Sequence, residues 1–228
     1  MKYENTLEAE FIRRNNRFSA DVAIGGKEES VHVKNTGRLR ELLLPGCRVC
    51  LQKADNPKRK TCYDLISVCR EGTGWVNIDS QAPNVLVREY LLSRPYPFED
   101  ISVIKSEFTY GDSRMDFYLE GPSGKVLLEV KGCTLEIDGI GYFPDAPTER
   151  GAKHLRELGE AVSKGYEAYA AFVIAVPGVY EVRAFERNDP LCAEEMARAR
   201  QKGLKLMFLP CRSGMDSIEI IKEKVSVL

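Results

Sequence analysis

Asp116, Glu129 and Lys131 are the residues of this 228-residue chain whose types and spacing could do chemistry together. They lie in SRMDFYLE (113–120), then GPSG, then KVLLEVKGCTL (125–135), which reads as strand, tight turn and strand. With the turn at 121–124, Glu120 faces Lys125, and counting back pairs Leu119 with Val126, Phe117 with Leu128, and Met115 with Val130. That face is apolar and wants a core. The other face pairs Tyr118 with Leu127, Asp116 with Glu129, and Arg114 with Lys131, placing two acids roughly 5 Å apart. Like charges so placed repel, and a divalent cation between their oxygens is one physical reason to keep them, with the Val130 carbonyl as a further ligand. Lys131 could orient or deprotonate a water beside the metal and steady a phosphoryl group as its bond breaks. The same spacing also admits a plain surface cluster in which Arg114 and Lys131 neutralise the two acids.

Such a hairpin needs a sheet behind it, and the chain supplies one after a change of pattern. The first eighty residues hold short strand-like runs: Phe11–Ile24, Ser30–Lys34, Arg48–Lys53, Cys62–Cys69 and Gly74–Ile78. Turn residues such as Gly25-Gly26, Pro45-Gly46 and Asp55-Asn56-Pro57 punctuate them. Five strands at this spacing predict a small barrel, for which the OB-fold is the common solution. The run 83–93 then places Val85, Leu86, Glu89 and Leu92 at helical spacing. Strands are expected near 101–109, 114–120, 125–134 and 138–143, followed by a helix over 148–164 with Leu155, Leu158 and Val162 on its apolar stripe. Ala168–Val176 is continuously apolar and reads as a strand buried on both faces. A helix over 190–202, a strand over 204–209 and a short final element complete the chain. The fold class is therefore α/β (α+β): an all-β domain over 1–82 and a mixed-sheet domain over 83–228.

Composition narrows the function classes. The chain is 43% hydrophobic, enough for a sizeable core. Its start, MKYENTLEAEF, lacks the basic and apolar regions of a secretory signal, and its longest apolar run is too short to span a bilayer, so a cytoplasmic, non-membrane protein is expected. Seven cysteines form no framework, and the single CxxC at Cys47 and Cys50 lies in a strand-like run without a second pair. The net charge of −1 argues against a polybasic surface. Residues 1–82 nonetheless carry 14 Lys/Arg against 11 Asp/Glu, so any phosphate contact should begin there.

Within that part, Arg13, Arg14 and Arg17 sit beside Phe18, and Asn56, Lys58, Arg59 and Lys60 make a basic loop. An OB barrel binds a nucleic-acid strand by such cations and by stacking, for which Phe11, Phe18 and Tyr63 are available unless they fill the barrel. Arg150, Lys153 and His154 fall in the first two turns of the 148–164 helix. There Arg150 and Lys153 could hold a phosphate, or simply solvate an amphipathic face. No nucleotide-binding glycine loop is present.

Several blocks in order resemble the sugar fermentation stimulation protein A (SfsA) family over almost the full length. They are FIRRNNRFSADV (11–22), VKNTGRLRELLLPG (33–46), DNPKRKTCYDL (55–65), VNIDSQAPNVLVREYL (76–91), EFTYGDSRMDFYLE (107–120), LLEVKGCTL (127–135) and FPDAPTERGAKHLREL (143–158). The resemblance implies an OB-fold followed by a PD-(D/E)xK nuclease-like domain, with DNA binding of no strong sequence preference as the attributed activity. Asp116, Glu129 and Lys131 then match the acid, acid and lysine of the nuclease fold. Glu89 stands where such folds often add an acidic metal ligand, with Glu107 a weaker candidate; the signature proline before the first acid is replaced by Met115. The implied function is Mg²⁺- or Mn²⁺-dependent phosphodiester hydrolysis of nucleic acid. The alternative is a non-catalytic DNA-binding regulator of sugar (maltose) metabolism genes.

Overall fold

In the computed structural model, which describes residues 1–56 and 58–228, the run expected as one strand over 11–24 is two. β1 (Thr6–Arg14) ends where Asn15 and Asn16 turn the chain: their N–H groups donate to the Ser19 carbonyl, and the Asn16 side chain accepts from the Phe18 N–H. Asparagine favours such turns because its side chain bonds its own backbone two residues on. β2 (Ser19–Ile24), β3 (Lys27–Val33), β4 (Arg48–Lys53) and β5 (Tyr63–Arg70) follow. β1 pairs with β2 and β4, β4 with β5, and a parallel β3–β5 pairing closes the ring. This is a five-stranded OB-like barrel, and closure removes its open edges. β6 (Gly74–Asn77), read from the sequence as the fifth strand, hangs on β5 outside the ring. Phe11, Val22, Val31, Val49 and Leu65 fill the interior.

The second domain opens with α1 (Ala82–Leu92), whose early proline suits a helix first turn. It buries Leu86, Val87, Tyr90 and Leu91, whereas Val85 and Leu92 are exposed at 42% and 53%. The expected apolar stripe was thus misplaced. Apolar residues nearly encircle this helix, so packing chooses the buried face rather than periodicity.

β7 (Val103–Tyr110), β8 (Ser113–Gly121) and β9 (Gly124–Cys133) form an antiparallel meander. After the β10 (Leu135–Ile137) and β11 (Ile140–Phe143) hairpin, α2 (Glu149–Ser163) leads to β12 (Glu167–Ile174). β13 (Val182–Ala184) pairs parallel to β11 and was not foreseen, being only three residues long. α3 (Pro190–Gln201), β14 (Lys205–Ser213), β15 (Ile218–Ile220), one 3-10 turn at Lys222–Lys224 and β16 (Ser226–Val227) complete the chain. The large sheet runs β15-β14-β12-β9-β8-β7, with β12 parallel to both β9 and β14. As expected, β12 is the buried centre. Helix, three-strand meander, helix and parallel strand give the curled mixed sheet of a PD-(D/E)xK nuclease-like domain.

Candidate active site

The β8–β9 register read from the sequence holds from Glu120–Lys125 through Phe117–Leu128 and stops there. Beyond it the two strands part. Asp116 does not face Glu129 as a ladder pair; its Oδ2 instead accepts the Val130 N–H at 2.7 Å, standing in for a strand carbonyl. On the other side of β8 the ladder also omits the Glu107–Asp116 pair, and Glu107 takes a left-handed φ of +57°. A non-glycine residue there is uncommon and strained. The β8–β9 ladder therefore ends beside Asp116, while β7–β8 pairing resumes at Phe108–Met115.

Side-chain partners come from both helices. Asn84 of α1 donates to Asp116 Oδ1 at 2.8 Å. His154 of α2 hydrogen-bonds through Nδ1 to Glu129 Oε1, which also receives the Lys131 ammonium at 2.6 Å. Glu129 and His154 are each only 3% exposed. Arg114 does not join them, pairing instead with Glu107 at 2.6 Å, so the four-charge surface cluster does not form.

Electrostatics separate the two acids. Burial pushes the Glu129 carboxyl up, but the His154 hydrogen bond and the Lys131 charge outweigh it and hold the group below its ordinary value. Asp116 is raised, by burial first and by Glu129 second, against the Val130 N–H, Asn84 and Lys131. Glu129 Oε2 is buried with no hydrogen-bond partner among the described residues. An orphaned carboxylate oxygen beside a second acid suits a hard cation. Among the described residues no three His, Cys, Asp or Glu side chains group as a metal cage. That leaves two carboxylates and main-chain or water oxygens, a common donor set for Mg²⁺.

The remaining predicted residues scatter. Glu89 is not brought to the acids: five positions past Asn84 it lies on a different side of α1, 55% exposed, with its carboxylate 3.5 Å from the N-terminal ammonium. The helix residue at the site is Asn84, which sequence reasoning missed. Arg13 is held by Asp21 (2.5 Å) and Glu28 (2.6 Å). Arg14 is half-buried and gives its guanidinium to backbone carbonyls of Arg17, Asn35, Gly37 and Arg38. Arg59 forms a paired contact to Asp64. None of these three is a free cation. Arg17, Lys58, Lys60 and Arg150 are exposed and make no salt bridge among the described residues. Asn56 is committed to a turn, its side chain accepting the Lys58 N–H, and Pro57 lies outside the described residues. Lys153 reaches Glu157 (3.6 Å) and the Asp112 carbonyl. Of the stacking candidates, Phe11 is core, Tyr63 is half-buried and Phe18 is 54% exposed.

Known proteins share this whole architecture. Residues 12–78 match the model of the SfsA N-terminal OB domain, and residues 81–217 that of the sugar fermentation stimulation protein RE domain. A sugar fermentation stimulation protein homolog of Desulfitobacterium hafniense is 50% identical over 219 residues, covering 96% of this chain and 95% of that protein. One from Clostridium beijerinckii is 46% identical over 220 residues, 96% of each. The solved structure of Pyrococcus furiosus SfsA in complex with Ca²⁺ superposes with a TM-score of 0.88 at 27% identity, over 97% of this chain and 95% of that one. With both domain models in register and half its residues shared with a full-length relative, the chain belongs to the sugar fermentation stimulation protein (SfsA) family.

Proposed function

We propose that this protein binds DNA and hydrolyses its phosphodiester bonds with a divalent cation, Mg²⁺ or Mn²⁺, held by Asp116 and Glu129. The observation that carries this is Glu129 Oε2, buried and without a partner among the described residues, beside Asp116 where the β8–β9 ladder ends. The Ca²⁺ in the Pyrococcus furiosus relative supports a hard cation, because Ca²⁺ and Mg²⁺ both take oxygen ligands. The cation would supply Lewis acidity at the phosphoryl oxygen. The protein supplies the rest: Asn84 and the Val130 N–H orient Asp116, and His154 keeps Glu129 ionised. Lys131 places a positive charge where phosphoryl charge develops.

A second reading, a non-catalytic DNA-binding regulator of sugar metabolism genes, draws on Lys131 and His154 already satisfying Glu129 Oε1. One experiment decides between the two. End-labelled single-stranded DNA, duplex DNA and RNA are incubated with Mg²⁺, Mn²⁺ or EDTA, beside Asp116→Ala and Lys131→Ala. The hydrolase gives metal-dependent products that both variants abolish while still shifting DNA. Shifted but uncut nucleic acid under every condition would establish the regulator instead.

A further inference from the structure

The barrel carries a groove of about 740 Å³ between the β1–β2 turn, the loop joining β3 to β4, and Ala146–Pro147 just before α2. Five arginines border it, and no Asp or Glu does among the described residues. Two of the five are already committed, Arg13 to Asp21 and Glu28, and Arg14 to the carbonyls that tie the two loops together. Arg17, Arg38 and Arg40 remain exposed and make no salt bridge among the described residues. In a protein of net charge −1, three exposed guanidinium groups at one groove are a local concentration of positive charge, with the Asp145 carboxyl lying behind it against Gly37 and Arg38. Phe11, Leu39 and Leu43 are the buried floor beneath it, and the exposed Phe18 follows Arg17 in the same turn.

Exposed guanidinium groups beside the exposed Phe18 ring fit a single strand, whose bases are free to stack while its phosphates meet the cations. A duplex hides its base faces and would use only the charge. Past Pro147 the chain enters α2, whose Arg150, Lys153 and His154 border a second recess. His154 is the residue bonded to Glu129. The first two turns of α2 therefore follow the groove along the chain and carry the partner of Glu129.

We propose that Arg17, Arg38 and Arg40 form a track that feeds single-stranded nucleic acid past the start of α2 to Asp116 and Glu129. The track rests on the nucleic-acid function proposed above but not on turnover. Its test is binding of a fluorescent single-stranded oligonucleotide, and of its duplex, to the full chain in EDTA across a salt series. The single strand should bind more tightly than the duplex. Each phosphate contact to a single strand contributes about −0.7 to the log–log salt slope, so the R17A/R38A/R40A variant should have a slope shallower by about 2. Wild type would then lose about 20-fold more affinity than the variant between roughly 50 and 200 mM salt. A melting curve checks folding, and should the triple variant fail it, each single variant should still lower the slope by about 0.7. A wild-type slope in the variants, or tighter binding of duplex, overturns the track. Salt-sensitive binding without cutting in Mg²⁺ or Mn²⁺ would remove the hydrolase and keep the track. Metal-dependent cutting with unchanged slopes in the arginine variants would do the reverse.

Discussion

Two carboxyls on neighbouring strands are driven apart in acidity by their different partners. Glu129 is held down by His154 and Lys131 despite its burial, whereas Asp116 is pushed up by burial and by Glu129. As pH falls, Asp116 protonates first, and a protonated carboxyl is a poor ligand. Metal affinity should therefore decline through a pH range above the ordinary aspartate value, which titration calorimetry with Mg²⁺ or Mn²⁺ can measure. His154→Ala removes a bond to the ionised form of Glu129 and so raises that carboxyl too. Its metal-binding profile should move to higher pH, and an unmoved profile would reduce His154 to packing. Asp64 gives a stability prediction of the same sign: burial raises it, but Arg59 and Lys34 bring it below its ordinary 3.8. Its stabilisation is complete above that value and is lost as pH falls through the lowered folded-state value. Arg59→Ala should cost about 1–3 kcal/mol in neutral denaturant titrations and much less once Asp64 is protonated. The hairpin register was legible from Glu120–Lys125 to Phe117–Leu128 because strands repeat every two residues and the turn fixes the count, whereas the Asp116–Glu129 pair counted beyond it does not form. The committed state of Arg13, Arg14 and Arg59 was not legible. A sequence shows charge, while Asp21, the loop carbonyls and Asp64 become partners only in three dimensions.

Elements with a strong period or a strong punctuation were read correctly, and those set by packing were not. The β8–β9 hairpin, the buried β12 and the amphipathic α2 fall where pattern placed them. The Asn15–Phe18 turn was lost inside a run with strand composition, and the barrel's fifth member was assigned to β6 because closure by β3 and β5 is a long-range pairing. α2 itself is positioned by α3. A Cβ at Gly159 would stand 3.0 Å from Ala199 Cα and 3.1 Å from its Cβ, so the two helices meet at a residue with no side chain. Gly159→Leu should force them apart at about 1–3 kcal/mol or more, read from chemical denaturation. Because α2 also carries His154, Lys153 and Arg150, metal-dependent activity should fall further than the loss of stability alone explains. Activity retained in the folded variant would show that the site tolerates a displaced α2.

The molecule as a whole is joined by the segment before β1. The Tyr3 N–H donates to the Asp216 carbonyl, the Ile218 N–H donates to the Met1 carbonyl, and Lys2 bridges Ser217. The Tyr3 ring is 4% exposed, and its hydroxyl receives the Asn77 amide at 3.0 Å and donates to Asp79 at 3.3 Å, both residues at the end of the barrel domain. From the barrel side, the Ser67 hydroxyl donates to the Met215 carbonyl. The two domains thus share hydrogen bonds and one stretch of core, which argues that they unfold together. Two probes separate them cleanly: Trp75, the single tryptophan, sits on β6, and the three α-helices of the described residues lie in the second domain. Tryptophan fluorescence and helical circular dichroism should therefore give coincident melting curves in the wild type. Tyr3→Ala leaves a large cavity and strands the Asn77 and Asp79 groups, at about 3–5 kcal/mol, lowering the melting temperature by on the order of 10 °C. If Tyr3 holds the domains together, both curves shift. If the fluorescence curve alone moves, the barrel melts on its own and the groove and the acidic pair are held on independently stable bodies.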